Sequence, residues 1–143
     1  MVLDRLARGQ VGPADVFESE YDRSYWAWES KYMQLRNAPV SAVILNEWTF
    51  PSDVVEAVRG HCLATSLKDP TRGTCLLNIA GWVSQELGQG LPGERDLWEL
   101  TPKKLEMAGL REEQVKEQLE NVAWLFERMQ PALRLVSTHA AGL

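Results

Sequence analysis

Apolar residues recur at steps of three and four along most of this chain, and strict alternation of apolar and polar residues is absent. That periodicity predicts helices and no sheet. After the breaker Gly12-Pro13, Phe17, Tyr21, Tyr25, Trp28, Tyr32 and Leu35 lie on one face of a helix of about five turns. Pro39 opens a second helix, "PVSAVILNEW", in which Val40, Val43, Ile44 and Glu47 share a face, so most of it is expected inside. A third, "PSDVVEAVRGHC", has Pro51 in its first turn, with Ser52 and Asp53 near its positive end. Its apolar stripe is Val54, Val55 and Val58, and His61 and Cys62 follow Val58 closely enough to lean to the same side.

The loop "SLKDPTRGT" leads into a fourth helix, Thr74 to Leu87. There Leu76, Leu77, Ile79, Ala80, Val83 and Leu87 cover more than one face, the mark of a central helix. Gly88, Gly90 and Pro92-Gly93 end it. "TPKKLEMAGL" predicts a short helix with Thr101 as N-cap, Pro102 at the first position and Gly109 as C-cap. The last helix runs from about Glu112 to Gln130 on Val115, Leu119, Val122, Phe126 and Met129, with charged residues on its other face and Pro131 expected to kink or end it. The sum is an all-α bundle of about six helices. A 1–13 extension precedes a single domain over 14–135, and "STHAAGL" belongs to a frayed tail over 136–143.

Composition narrows the function classes. The chain has 143 residues, enough for one domain with a real core, at 45% hydrophobic and 24% charged. A net charge of −5 and the lack of a Lys/Arg cluster disfavour a nucleic-acid surface. Two cysteines, Cys62 and Cys75, form neither a disulfide framework nor a zinc ribbon, and fit free thiols in a reducing cytosol. No run of ~18 apolar residues suits a membrane span, and "MVLDRLARGQVGP" lacks the apolar centre of a signal peptide. A cytoplasmic chain is expected.

The candidate chemistry sits at His61-Cys62. Both are good metal ligands, but adjacent helical residues point about 100° apart and rarely hold one metal together. A thiol nucleophile needs a base reaching its sulfur in a polar cleft, and this pair lies on an apolar stripe. "GQGLPG" follows no strand and is no phosphate loop. The aromatic stripe reads as packing; a stacking platform for a base or ring ligand is the sharper alternative.

Four pieces, in order, resemble the HDOD family, the HD-related output domain of bacterial signalling proteins. Glu29 followed by Asn37 is similar to that family's glutamate–histidine spacing. "NAPVSAVILNEWTFP" resembles its small-residue helix followed by W-x-x-P. "VVEAVRGHC" resembles its helix ending in two histidines, and "TPKKLEMAGLREEQVKEQL" its closing segment. The resemblance spans about Glu29 to Gln130 and implies an HD-domain-like bundle, the C-terminal half of a longer domain. Its exposed face is then expected to be covered by a second copy.

The resemblance also implies a remnant pocket at Glu29, Asn37, His61, Cys62 and Gly81. Related phosphohydrolases hold metals through histidines and aspartates that activate a water. Asn37 stands at a histidine position, Cys62 at one of two histidines, and Gly81 near a late aspartate. Trp48 and Pro51 are structural markers, expected to fix how the third helix is entered. The expectation is therefore a non-catalytic regulatory module that binds no metal or cofactor and acts through protein partners or other signalling domains, with homodimers possible. Trp26, Trp28 and Tyr32, together with the outer face of the last helix, are the candidate interaction surface. The alternatives are a module binding a nucleotide or metal in the remnant pocket, and a residual metal-dependent phosphohydrolase.

Overall fold

The computed structural model describes Phe17 and residues 25–63, 68–91 and 93–140, with side chains for all of these except 63 and 130–140. The 1–13 extension, Tyr21, Pro92 and residues 141–143 lie outside the described residues. The chain is all-α: six α-helices carry it, with no strand among the described residues. It divides into two compact units, Met1–Gly109 and Leu110–Leu143.

In the first unit, α1 (Tyr25–Trp28) runs directly into a π-helical turn (Glu29–Met33), which stops at Gln34 in the left-handed region. The aromatic stripe packs on itself. Trp28 is 7% exposed and stacks on Tyr25 at 5.5 Å, while Phe17 meets it edge-on and Tyr32 tilts against it. Trp28 was expected on an interaction surface and is instead the centre of this cluster, because its large ring gains most from burial. Trp26 and Tyr32 stay half-buried; the Arg36 guanidinium lies 4.0 Å over the Trp26 ring and Lys31 Nζ lies 4.4 Å over Tyr32. Leu35 falls beyond the helix end and is exposed.

Helices α2 (Asn37–Glu47) and α3 (Ser52–Gly60) pack together across a tight corner, and each turns small residues inward. Ala38 and Ala42 are the buried residues of α2, and Val43, expected inside, is 58% exposed. Val55 and Ala57 are buried in α3, and Val54 faces out. Ala57 is selected by close approach: a Cβ on Gly73 of the next helix would lie 2.9 Å from the Ala57 Cβ.

The corner itself is a Schellman turn. Thr49 N–H donates to Asn46 O and Phe50 N–H to Leu45 O, with Thr49 at φ 57°. Trp48, expected to fix the entry into α3, is 67% exposed; the entry is set by this turn and by Pro51, whose carbonyl accepts from Val54 and Val55 N–H. Pro51 is the N-cap, one residue before the helix.

Helix α4 (Arg72–Glu86) packs against α3, α5 (Pro102–Ala108) and the two 3-10 turns, His61–Leu63 and Arg95–Trp98, so it is central as expected. Its inward face differs from expectation. Thr74, Cys75, Asn78 and Ile79 are buried, while Leu76 and Leu77 are each 39% exposed. Thr71 Oγ1 accepts from Thr74 N–H at its start. Helix α5 has the caps its sequence announces: Thr101 accepts from Lys104 N–H, Pro102 opens it, and Gly109 closes it at φ 71°. Arg72 Nε donates to Ala108 O and ties α5 to α4.

The second unit is α6 (Glu112–Ala140). It does not end at Pro131, and residues 136–140, expected in a frayed tail, are helical. Proline's fixed φ is compatible with a helix; its missing N–H removes one intrahelical hydrogen bond and a proline ring crowds the carbonyl four residues back, a cost of about 3 kcal/mol that the helix bears here. Val115 is buried, while Val122, Trp124, Leu125 and Met129 are exposed.

A β-branched residue in the left-handed region carries backbone strain that glycine does not. Thr49→Gly is therefore expected to stabilise the fold by about 0.5–1 kcal/mol. The check is a higher urea midpoint at an unchanged denaturant slope.

Candidate functional site

The site forms where the π-turn, the end of α3, the middle of α4 and the 95–98 turn meet. His61 is placed by the continuation of α3 into its 3-10 turn. Its Nδ1 lies 2.6 Å from Val58 O. A carbonyl only accepts, so Nδ1 carries the proton and Nε2 is left as an acceptor. The Cys62 Sγ lies 3.5 Å from that Nε2. Burial, with the negative charges of Glu94 and Glu29 behind it, pushes the Cys62 thiol up to about 12. The sulfur therefore keeps its proton and donates it to the imidazole.

One face of the His61 ring is covered. Trp98 stacks on it, with centroids 5.8 Å apart and planes 20° from parallel. The indole fits because position 81 is glycine. A Cβ there would lie 2.4 Å from Trp98 Cε3 and 2.7 Å from Cδ2. Gly81 therefore serves the site through the space it leaves.

Asn78, fully buried on α4, joins the two 3-10 turns. Its Nδ2 donates to His61 O at 2.7 Å and to Leu97 O at 2.9 Å. Flipping the amide would set its oxygen against two carbonyls, so this orientation is fixed by chemistry. The cost is Oδ1, buried with no hydrogen-bond partner, a loss of about 1–3 kcal/mol.

Two carboxyl groups complete the site. Glu29 is 4% exposed, and its Oε2 accepts from Asn37 N–H at 3.1 Å. Asn37 is the first residue of α2, so this carboxylate meets the positive end of that helix. Glu94 is 7% exposed. Burial raises the pKa of both, the Asn37 N–H partly restores the Glu29 anion, and the Glu29 charge raises Glu94 further. Of the two, only Glu29 has a hydrogen bond that favours its anion.

Four of the five pocket positions from the sequence bring their side chains or their space together: Glu29, His61, Cys62 and Gly81. Asn37 contributes only its backbone N–H, and its side-chain Oδ1 accepts from Ser41 Oγ at the surface. Three residues that build the site escaped the sequence reading: Asn78, Glu94 and Trp98. Asn78 carries a signal, an amide inside the apolar run "LLNIA". Glu94 and Trp98 carry none, since their loop reads as ordinary polar surface. Among the described residues no three His, Cys, Asp or Glu side chains are grouped as metal ligands. No family model, no curated protein and no solved structure matches this chain.

Two measurements check this electrostatic picture. A carboxyl whose folded-state pKa is raised above the ordinary 4.5 adds stability that is complete below 4.5 and lost as pH rises through the folded value. Glu94→Gln keeps the shape without the charge. It is expected to stabilise the chain at pH 7 by about 1 kcal/mol, or about 3 °C in Tm, with the gain shrinking as pH falls toward 4.5.

Moving a thiol from the ordinary 9.0 to about 12 lowers its thiolate fraction at pH 8 about a thousandfold. Higher intrinsic nucleophilicity returns roughly twentyfold of that. Alkylation of Cys62 at pH 8 is therefore expected to run about fiftyfold slower in the folded chain than in the denatured one, as read by mass spectrometry of the Cys62 peptide.

Proposed function

We propose that this chain is a non-catalytic regulatory module of the HDOD kind, working in the cytoplasm through protein–protein or interdomain contacts. The observation that carries the reading is the state of His61. Its Nδ1 is spent on Val58 O, its Nε2 faces a protonated thiol, and one of its faces is covered by Trp98. A histidine that activates water or ligates a metal needs a free ring nitrogen directed at a polar opening. Here the same residue type acts as packing between two turns. The resemblance in "NAPVSAVILNEWTFP" and "VVEAVRGHC" supports the same reading, because the positions that depart from the hydrolases are the ones recruited into the joint.

Contact surfaces suit such a module. In the first unit Val43, Trp48 and Phe50 are exposed around the α2–α3 corner, and in the second Trp124, Leu125 and Met129 are exposed along α6. Exposed apolar residues gathered in this way mark interaction sites. A second copy is the partner proposed for α6, whose spacing of three and four sets a heptad seam on Leu119, Val122, Phe126 and Met129 beyond the buried Val115. The orphan Asn78 Oδ1 favours a second reading, a small donor ligand held in the joint.

Light scattering at micromolar concentration is expected to give a dimer, and the pair Val122→Glu and Met129→Glu a monomer. Manganese-dependent hydrolysis of a generic phosphodiester is expected to be indistinguishable between the chain and His61→Ala. Turnover that disappears in His61→Ala would sink the non-catalytic reading.

A further inference from the structure

Trp98 also lines a cleft of about 570 Å³ between the last turns of α4 and the 95–98 turn. Its size is that of a small-molecule site. Trp82 and Trp98 give it two indole surfaces, and Glu86, Arg95, Asp96 and Glu99 give it its charge. We propose that this cleft binds an organic cation, an alkylammonium or guanidinium group. The proposal stands apart from the regulatory reading and does not depend on it.

Three independent features select a cation. The first is the aromatic lining: an indole face attracts ammonium and guanidinium groups through its quadrupole, best where water is partly excluded. Trp98 is 8% exposed and held by Gly81 and His61, so this wall is formed before any ligand arrives. Trp82 is half-buried and leaves ring surface open. The second is charge. Three carboxylates face one guanidinium, and none of these four groups makes an ion pair among the described residues. Glu99 is partly offset by the buried Lys104 behind it, whose Nζ donates to Glu99 O. Glu86 and Asp96 still outnumber Arg95 without it.

The third feature is the helix end. Trp82, Gln85 and Glu86 belong to the last turns of the 15-residue α4, where the partial charge of the macrodipole is negative. A phosphate or carboxylate would meet that negative end and three like charges, against Arg95 alone. The cleft is also braced: Gln85 Nε2 donates to Leu91 O at 3.3 Å, tying the returning loop to α4.

The same chemistry is presented by a free polyamine and by the lysine or arginine side chain of a partner. Titration calorimetry on the whole chain at low salt, with agmatine, spermidine and a glycine-flanked arginine peptide as probes, separates the two. Agmatine or the peptide is expected to bind, with 1,4-butanediol and inorganic phosphate giving no heat. Trp82→Leu is expected to weaken binding about tenfold. The pair Glu86→Gln and Asp96→Asn should weaken it at least as much and flatten its salt dependence. Arg95→Ala should tighten it. Tighter binding of the peptide identifies a partner segment as the source of the cation, and tighter binding of the free amines a small molecule. All four positions are exposed or half-buried, so circular dichroism separates a binding defect from unfolding. Absence of binding to every cation, equal binding of butanediol, or phosphate binding lost in Arg95→Ala overturns the proposal.

Discussion

The stack of Trp98 on His61 is the contact on which the rest of the first unit depends. It exists because Gly81 leaves an indole-sized space on α4, and because Asn78, three residues earlier on the same helix, holds the carbonyls of His61 and of Leu97, the residue before Trp98. One helical turn thus supplies both the void and the tether. Remove either and the two 3-10 turns lose their common reference. Stacking and edge contacts of this kind are worth about 0.5–1.5 kcal/mol beyond the area they bury. The larger effect is geometric, since the stack sets where the loop carrying Glu94 returns and so where the second carboxyl group is placed.

That placement explains the electrostatics. Glu94 is carried into a site that already holds Glu29, and Glu29 has the better claim to its charge through the Asn37 N–H. Two carboxylates and a thiol in a poorly solvated space cannot all be ionised. Burial disfavours the charge on both carboxyl groups, and the Asn37 N–H offsets that for Glu29 alone. The orphan Asn78 Oδ1 belongs to the same compromise, because the amide's two donors are both committed to carbonyls. On the regulatory reading, this is a joint in which a shift of one turn is felt at the other through a single amide. Catalysis would require the opposite, groups left unsatisfied toward a substrate.

The class of fold was legible in the sequence, and so were most element boundaries. Pro102 and Gly109 mark α5, Gly88 the end of α4, and the aromatic spacing from Tyr25 to Tyr32 the first packed cluster. The inward faces were not legible. Hydrophobicity ranks Val43 above Ala42, Val54 above Ala57, and Leu77 above Asn78, and in each pair the structure buries the second. The reason is distance between backbones. Where helices approach as closely as Gly73 and Ala57 do, a branched side chain has no room and a methyl group fills the gap. Asn78 is inside for a different reason, its two carbonyl partners, which lie 17 and 19 residues away and leave no local trace. Helix α6 shows a further limit. A proline reads as a stop, yet at Pro131 its φ suits the helix and the chain continues.

The candidate site was legible as a set of positions more than as chemistry. Glu29, His61, Cys62 and Gly81 lie at one joint, and the part played by the glycine is to make room: Gly81 admits Trp98, and Trp98 then covers a face of the imidazole. The same indole lines the cleft with Trp82, Arg95 and the exposed carboxylates of Glu86, Asp96 and Glu99. By admitting that ring, Gly81 couples the two places, because a ligand seated against Trp98 in the cleft would bear on the ring that stacks on His61.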